Sequence, residues 1–232
     1  MWIQWAKFIF ILFLWQYSIL SYAQSKDFLT GRYNYIEDTS FVRVPVQFAR
    51  NNVYLKKETY HAFLKMRHAA LQSGINLTII SGARSFNDQR SKWETKWNSS
   101  AFKSIKNSRQ KAVKLLRWWS MPSTSRHHWG TDIDLNNMKV VYYRTAAGKK
   151  LYSWLVNNAP KFGFQQPFNA NRNNGYQEEK WHWSYVPLSI NYLRAYVKQV
   201  NYLDINGFQG FTTAKDIDLI KNWILAVNPA CK

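Results

Sequence analysis

Two histidines and two aspartates lie close together in the segment TSRHHWGTDIDLN, residues 124–136. The chain has only 5 histidines in 232 residues, so the adjacent pair His127 and His128 is an unusual use of a scarce side chain. Imidazole nitrogens and carboxylate oxygens are common zinc ligands in hydrolases. The segment therefore indicates a metal site, against the alternative of a solvated loop.

The spacing in this segment requires a turn if one ion is to be bound. On a helix, His127 and Asp134 would stand about 10 Å apart along the axis, too far for metal bonds of about 2 Å. Gly130 allows the chain to reverse, and residues 131–135 alternate as a strand does, so Asp132 and Asp134 share one face. One histidine and one aspartate are candidate ligands, and the pattern leaves open which of each.

A second group of chemically capable residues occurs in EEKWHW, residues 178–183. The alternating aromatic pattern predicts a strand in which His182 faces away from both Trp181 and Trp183. Glu179 must then lie in the loop before the strand if it is to reach the same site. A zinc hydrolase needs protein ligands, an open coordination position and a carboxylate base. Two histidines, an aspartate and a glutamate supply that set.

These segments resemble the signature of the zinc D-alanyl-D-alanine carboxypeptidases of the vancomycin-resistance type. That family belongs to the LAS metallopeptidase group, which includes lysostaphin-like endopeptidases and the hedgehog signalling domain. The motifs that carry the resemblance are SGARSFNDQ, Ser125-x-His127-x-x-Gly130-x-x-x-Asp134 and Glu179-x-Trp181-His182. They stand in the family's order, and the resemblance covers residues from about 55 to 187.

The resemblance implies a role for each matching residue. The implied ligands of one Zn²⁺ ion are His127, Asp134 and His182. Glu179 would act as general base and then general acid, and Arg84 would stabilise the substrate. Ser125 and Gln89 would line the substrate site. These roles are chemically reasonable, because an arginine fork suits a terminal carboxylate or a polarised carbonyl.

Two residues depart from the family pattern or extend it. Asp132 stands where the family usually has alanine. It would either hydrogen-bond behind the metal ligands or lie at the strand edge, and the sequence leaves both open. His128, beside His127, is predicted to lie at the rim of the site.

The N-terminus, residues 1–23, is predicted to be a signal peptide, and an uncleaved membrane anchor is the alternative. Lys7 precedes an apolar run, and Ser21-Tyr22-Ala23 forms a small-x-small cleavage pattern. The run is shorter than the roughly 20 residues that span a bilayer, and no later segment approaches that length. We therefore expect no transmembrane segment after cleavage and a periplasmic or secreted protein.

The formal net charge of +19 indicates a polyanionic partner. Residues 90–126, hereafter the basic segment, hold ten Lys and Arg residues against the single acid Glu94. Export argues against nucleic acid as the partner. We expect the basic segment to bind anionic cell-wall material, and a merely solvated surface is the alternative.

The remaining pattern predicts an α+β fold: a small central antiparallel sheet carries the zinc site, and helices flank it. Helices are predicted over residues 56–73, 91–97 and 109–119, and in GKKLYSWLVNN, SINYLRAYVKQV and AKDIDLIKNWILAV. The expected organisation is a zinc peptidase domain over residues 24–187, with a basic insertion at about 90–120, and a helical C-terminal extension over 188–232. Cys231 is the only cysteine, so no intramolecular disulfide can form.

The expected function is a zinc-dependent carboxypeptidase that hydrolyses the terminal D-Ala, or a similar residue, of peptidoglycan stem peptides. A peptidoglycan endopeptidase and a non-catalytic zinc-containing cell-wall binding domain are the alternatives. Glu179 and Arg84 favour the enzyme, because a purely structural zinc site needs no base.

Overall fold

The computed structural model describes residues 24–232 and is built around a four-stranded sheet. The strands are β1 (Phe41–Arg43), β2 (Tyr54–Lys56), β3 (Ile79–Ser81), β4 (Asp132–Leu135), β5 (Phe164–Gln165) and β6 (His182–Tyr185). The larger sheet has the order β3-β4-β6-β5 and is antiparallel throughout, while β1 and β2 pair separately. The predicted signal peptide lies outside the described residues.

The helices are α1 (Lys26–Thr30), α2 (Lys57–Gln72), α3 (Phe86–Trp97), α4 (Ser100–Lys103), α5 (Ser108–Leu115), α6 (Ala146–Asn158), α7 (Val186–Gln199) and α8 (Thr213–Asp216). The expected mixed fold with a small antiparallel sheet is confirmed. Among residues 24–232, no helix combines the length and the apolar character needed to cross a membrane.

Element boundaries differ from the prediction at several places, and the helix expected over residues 91–97 already begins at Phe86. The strand expected over residues 75–80 is shorter and shifted, because only β3 pairs with β4. The helix expected over residues 109–119 ends at Leu115 and continues as a turn. The C-terminal stretch AKDIDLIKNWILAV is helical only in pieces, since Asp218 adopts a φ of +51° that interrupts α8 before the π-helical turn Ile220–Ile224.

Buried apolar side chains form two cores. The sheet core gathers residues from α2, α6 and the larger sheet, including Ile133 and Leu135 of β4. The helix core gathers residues from α1, α3, α5, α7 and the C-terminal segment, including Trp93 and Trp129. Because side chains alternate along a strand, the aspartates of β4 point away from the sheet core.

The C-terminal segment packs directly on α3 in the helix core. Trp93 Nε1 donates a hydrogen bond to the carbonyl of Gln209 at 2.8 Å, and the amide of Gln209 donates to Glu94 Oε1 at 3.0 Å. Gly210 has a φ of +81° and lies against the Trp97 ring, which a Cβ atom would strike. These contacts tie the first helix of the basic segment to the end of the chain.

Candidate active site

A tight turn brings His127 to the face of β4. Residues Arg126–Trp129 form a single 3-10 turn that ends at Gly130, whose φ of +69° suits glycine. A Cβ atom on Gly130 would strike the Phe41 ring. After this reversal, His127 Nε2 lies 3.3 Å from Asp134 Oδ2.

Strand pairing brings His182 to the same place. Asp134 of β4 is directly opposite His182 of β6 in the antiparallel register, and directly opposed residues share a face. His182 Nδ1 therefore lies 3.2 Å from Asp134 Oδ1. Glu179 lies in the loop before β6, as the sequence requires, with Oε2 3.4 Å from His182 Nδ1.

His127, Asp134 and His182 form a group that could hold one metal ion, with ligand atoms all within 4.8 Å of one another. The other ring nitrogens are already engaged: His127 Nδ1 lies 2.8 Å from the Gly82 carbonyl, and His182 Nε2 lies 2.8 Å from Asp132 Oδ2. Asp134 Oδ1 is buried and has no hydrogen-bond partner among the described residues. A carboxylate with one unsatisfied oxygen and an imidazole nitrogen close to each of its two oxygens fits a zinc site.

Burial and neighbouring charges set the protonation of these groups. Burial, reinforced by Arg84, lowers the pKa of His127 to about 4. Burial alone would raise the pKa of Asp134, but the two histidines hold it well below its usual value. A neutral imidazole and an ionised carboxylate are the forms that bind metals. Burial raises the pKa of Glu179, which favours proton exchange near neutral pH.

Arg84 is held beside the candidate ligands by three side chains. Its guanidinium donates to Ser81 Oγ at 3.1 Å, to Gln89 Oε1 at 3.0 Å and to Asp134 Oδ2 at 3.1 Å. Gln89 in turn donates from Nε2 to the Ser120 carbonyl at 2.7 Å. The predicted substrate residues Arg84 and Gln89 are therefore connected to the candidate metal ligands in one network.

The candidate metal ligands, Glu179, Arg84 and Gln89 line one cavity of about 430 Å³, and Ser125 is also part of its lining. An aromatic part of its lining is formed by Trp118 and Trp181, whose rings stack with centroids 6.2 Å apart. The remaining contributors include Lys92, Met138, Val140, Phe168 and Tyr176. The cavity thus combines a polar end with an apolar wall, as ligand sites usually do.

One prediction about side-chain direction is wrong. His128 is not at the rim: it is fully buried, its Nδ1 lies 2.8 Å from the Arg84 carbonyl, and Gly31 packs on its ring. Successive residues of a 3-10 turn point about 120° apart, so His128 faces the helix core. Trp181 and Trp183 both pack in the sheet core, on the side away from His182 as predicted. Trp181, which precedes β6, also contributes to the cavity lining.

Asp132 lies at the centre of a buried polar group, since β4 is an interior strand of the sheet. Its Oδ2 accepts from Arg126 Nε at 2.9 Å as well as contacting His182. Burial alone would raise the pKa of Asp132, but the Arg126 guanidinium keeps it below its usual value. Sequence reasoning assigned Arg126 only to the basic segment. The available signal was the extra acid at 132, because a buried carboxylate requires a cation nearby.

The sequence profile of the family described as "VanY: D-alanyl-D-alanine carboxypeptidase" matches residues 52–188. The chain is 28% identical over 120 residues to a protein of Enterococcus faecalis named "D-alanyl-D-alanine carboxypeptidase", which covers 51% of this chain and 43% of that relative. The chain thus spans less than half the length of that relative.

Two solved structures share the fold. One, described as "VanYB in complex with D-Alanine-D-Alanine", has a TM-score of 0.54 at 21% identity and covers 71% of this chain and 87% of its own. The other, a VanY D,D-pentapeptidase variant in complex with Zn(II), has a TM-score of 0.51 at 22% identity and covers 71% and 94%. With the profile match spanning more than half of the sequence, the chain belongs to the VanY family of D-alanyl-D-alanine carboxypeptidases.

Proposed function

We propose that this protein is a zinc-dependent carboxypeptidase that removes the terminal D-alanine, or a similar residue, from peptidoglycan stem peptides. The observation that carries the proposal is the convergence of a metal-binding group and Glu179 in one cavity. The names of the relatives support the substrate class: one is a D-alanyl-D-alanine carboxypeptidase, and one structure holds D-alanyl-D-alanine.

The metal assigned to the site is one zinc ion, held by His127, Asp134 and His182. Their two imidazoles and one carboxylate match the three-ligand set of catalytic zinc sites, which leave a position open. A bound zinc supplies Lewis acidity, which polarises a carbonyl and lowers the pKa of a water molecule. The structure described with Zn(II) in the same family supports the choice of this metal.

Glu179 is assigned the proton transfers. Its carboxyl group lies next to His182 at the polar end of the cavity, and burial raises its pKa. During attack on the scissile carbonyl carbon, Glu179 accepts a proton from the nucleophilic water. The C–N bond then breaks, and Glu179 delivers that proton to the departing amine. The products are the shortened peptide and a free amino acid.

Arg84 is assigned to the developing negative charge or the substrate carboxylate. A guanidinium carries five N–H donors, and Ser81, Gln89 and Asp134 accept three hydrogen bonds from it. Among residues 24–232 no acceptor is hydrogen-bonded to the other donors, so they can reach the substrate in a geometry that these protein bonds already fix. Gln89 and Ser125 complete this part of the lining.

The place of action proposed is outside the cytoplasm, in the periplasm or as a secreted protein. The basic segment would concentrate the enzyme on anionic cell-wall material. Lys103, Lys106, Arg109 and Lys114 are exposed there, as that role requires. Lys111 and Arg126 are buried and take no part in such a surface.

Zinc-loaded protein incubated with defined muropeptides, followed by mass analysis, tests the proposal. Loss of one terminal D-alanine from a pentapeptide, absent in Glu179→Gln, is the expected result. Cleavage of a cross-linked dimer between its stems, with the free pentapeptide untouched, would show an endopeptidase instead. Stoichiometric zinc without cleavage of either substrate would leave a zinc-containing binding domain.

A further inference from the structure

We propose that Asp132 is a positioning residue that fixes the orientation and tautomer of His182 for metal binding, and that Arg126 and Ser184 hold Asp132 in that role. The inference rests on the metal site of the proposed function. It assigns to this chain a buried support in which Asp132 lies behind the candidate ligand His182.

Each carboxylate oxygen of Asp132 has two hydrogen-bond partners. Oδ2 lies 2.9 Å from Arg126 Nε and 2.8 Å from His182 Nε2. Oδ1 accepts from Thr131 Oγ1 at 2.9 Å and from Ser184 Oγ at 2.8 Å. A carboxylate offers about four lone-pair positions, so each one has a partner. Asp132 therefore has little freedom to move, since it is fully buried.

This arrangement determines which nitrogen of His182 faces the metal site. An ionised carboxylate only accepts hydrogen bonds, so His182 donates from Nε2 to Asp132. In the neutral imidazole that binds a metal, Nδ1 then carries the lone pair, and it is Nδ1 that lies 3.2 Å from Asp134 Oδ1 and 3.4 Å from Glu179 Oε2. A carboxylate behind a ligating histidine also increases the basicity of that ligand.

Arg126 compensates the negative charge of the buried Asp132 carboxylate. Its side chain is 5% exposed, and it donates to Ser184 Oγ at 2.6 Å in addition to Asp132. Without this cation, Asp132 would be an uncompensated buried charge, which is strongly destabilising. His127 needs no such device, because its Nδ1 is held by the neutral backbone carbonyl of Gly82. The two histidines are thus oriented by different groups. A side-chain substitution can remove the carboxylate that orients His182, but it cannot remove the backbone carbonyl that orients His127.

The test compares Asp132→Asn with Thr131→Val. Asparagine keeps the size of the side chain but loses its charge, whereas Thr131→Val removes a bond to Oδ1 and leaves the contact with His182. Zinc affinity measured by chelator competition is expected to fall about 10- to 100-fold in Asp132→Asn and to change little in Thr131→Val. The visible spectrum of the cobalt-substituted protein should shift only in the first variant. Circular dichroism checks that both variants fold.

A second measurement needs no substitution. In the ¹⁵N spectrum of the zinc-loaded parent, His182 is expected to show a protonated Nε2 and a metal-bound Nδ1. The opposite assignment would overturn the proposal, even if Asp132→Asn failed to fold. Unchanged zinc affinity and cobalt spectrum in a folded Asp132→Asn would also overturn it. Zinc binding that follows these expectations without muropeptide cleavage would refute the carboxypeptidase and leave the positioning role standing.

Discussion

On one part of the cavity lining, backbone pairing between β4 and β6 sets Asp134 opposite His182. On another part, side-chain hydrogen bonds hold Arg84 to Gln89 and Gln89 to the Ser120 carbonyl. The first arrangement depends on register, which a one-residue slip would destroy. The second depends on α3 and the chain that follows α5, where the contacts come from widely separated residues.

Substitutions in the two parts are therefore expected to impair the protein in different ways. We call the lining built on β4 and β6 the strand part, and the lining that holds Arg84 and Gln89 the helical part. Substitutions that disrupt the strand part should remove the metal and with it all turnover. Substitutions in the helical part should leave the metal in place and change how the substrate is held. Substitutions made in each part therefore test whether the division holds.

The largest effect is expected from His182→Ala. Loss of one of three ligands should lower the zinc content of the purified protein well below one equivalent and abolish hydrolysis. Elemental analysis of the dialysed protein measures this. His68→Ala is the matched control, because His68 is exposed on α2, and it should keep its zinc. Full zinc retention in His182→Ala would refute the ligand assignment.

Glu179→Gln should keep both fold and zinc but lower kcat by about 10²- to 10⁴-fold, since the amide cannot accept the proton of the attacking water. Turnover of a pentapeptide and zinc content, measured on the same preparation, separate the two properties. Glu178→Gln is the control: Glu178 accepts from the Tyr152 hydroxyl at 3.2 Å and pairs with Lys180 at 3.7 Å. If Glu178→Gln were inactive and Glu179→Gln active, the base would be misassigned.

Arg84→Lys tests the helical part of the lining. Lysine retains the charge but loses the planar fork, and a charge-assisted hydrogen bond contributes about 1.5–3 kcal/mol. We expect kcat/KM to fall about 10- to 100-fold with zinc content unchanged. The loss should be greater for peptides with a free terminal carboxylate than for their amides. Equal activity of the parent on both substrates would argue against a carboxylate reader.

The smallest effect on turnover is expected from neutralising Lys103, Lys106, Arg109 and Lys114 together. Exposed charges act over about 8–10 Å at ordinary ionic strength, so binding to purified sacculi should weaken and lose much of its salt dependence. Turnover of a short soluble peptide should stay nearly unchanged. Co-sedimentation equal to that of the parent at every salt concentration would reduce this segment to a solvated surface.

The directions of the aspartate side chains in β4 could be predicted from the sequence because the constraints on them are local. The turn at Gly130 and the alternation of β4 restrict where Asp132 and Asp134 can point. The choice between His127 and His128 needed the family resemblance, since both residues lie in the same turn. Only the structure shows that His128 faces the helix core.

The helical part was less predictable for physical reasons. Helical periodicity marks an apolar face but does not identify what covers it. The contact between Trp93 and Gln209 and the stacking of Trp118 on Trp181 depend on tertiary packing between distant segments. α8 ends at Asp216, and the left-handed backbone of Asp218 separates it from the π-helical turn, although the residues on both sides favour one continuous helix.

The turn that carries His127 is supported by a residue from the start of the described chain, and this affects how the protein folds. Trp129 Nε1 donates to the Leu29 carbonyl at 3.1 Å across 100 positions, and His182 reaches Asp132 across 50. Contacts between residues so far apart in sequence form slowly, because a large loop must close first. The metal centre is therefore expected to assemble late, on a polypeptide whose sheet has already closed.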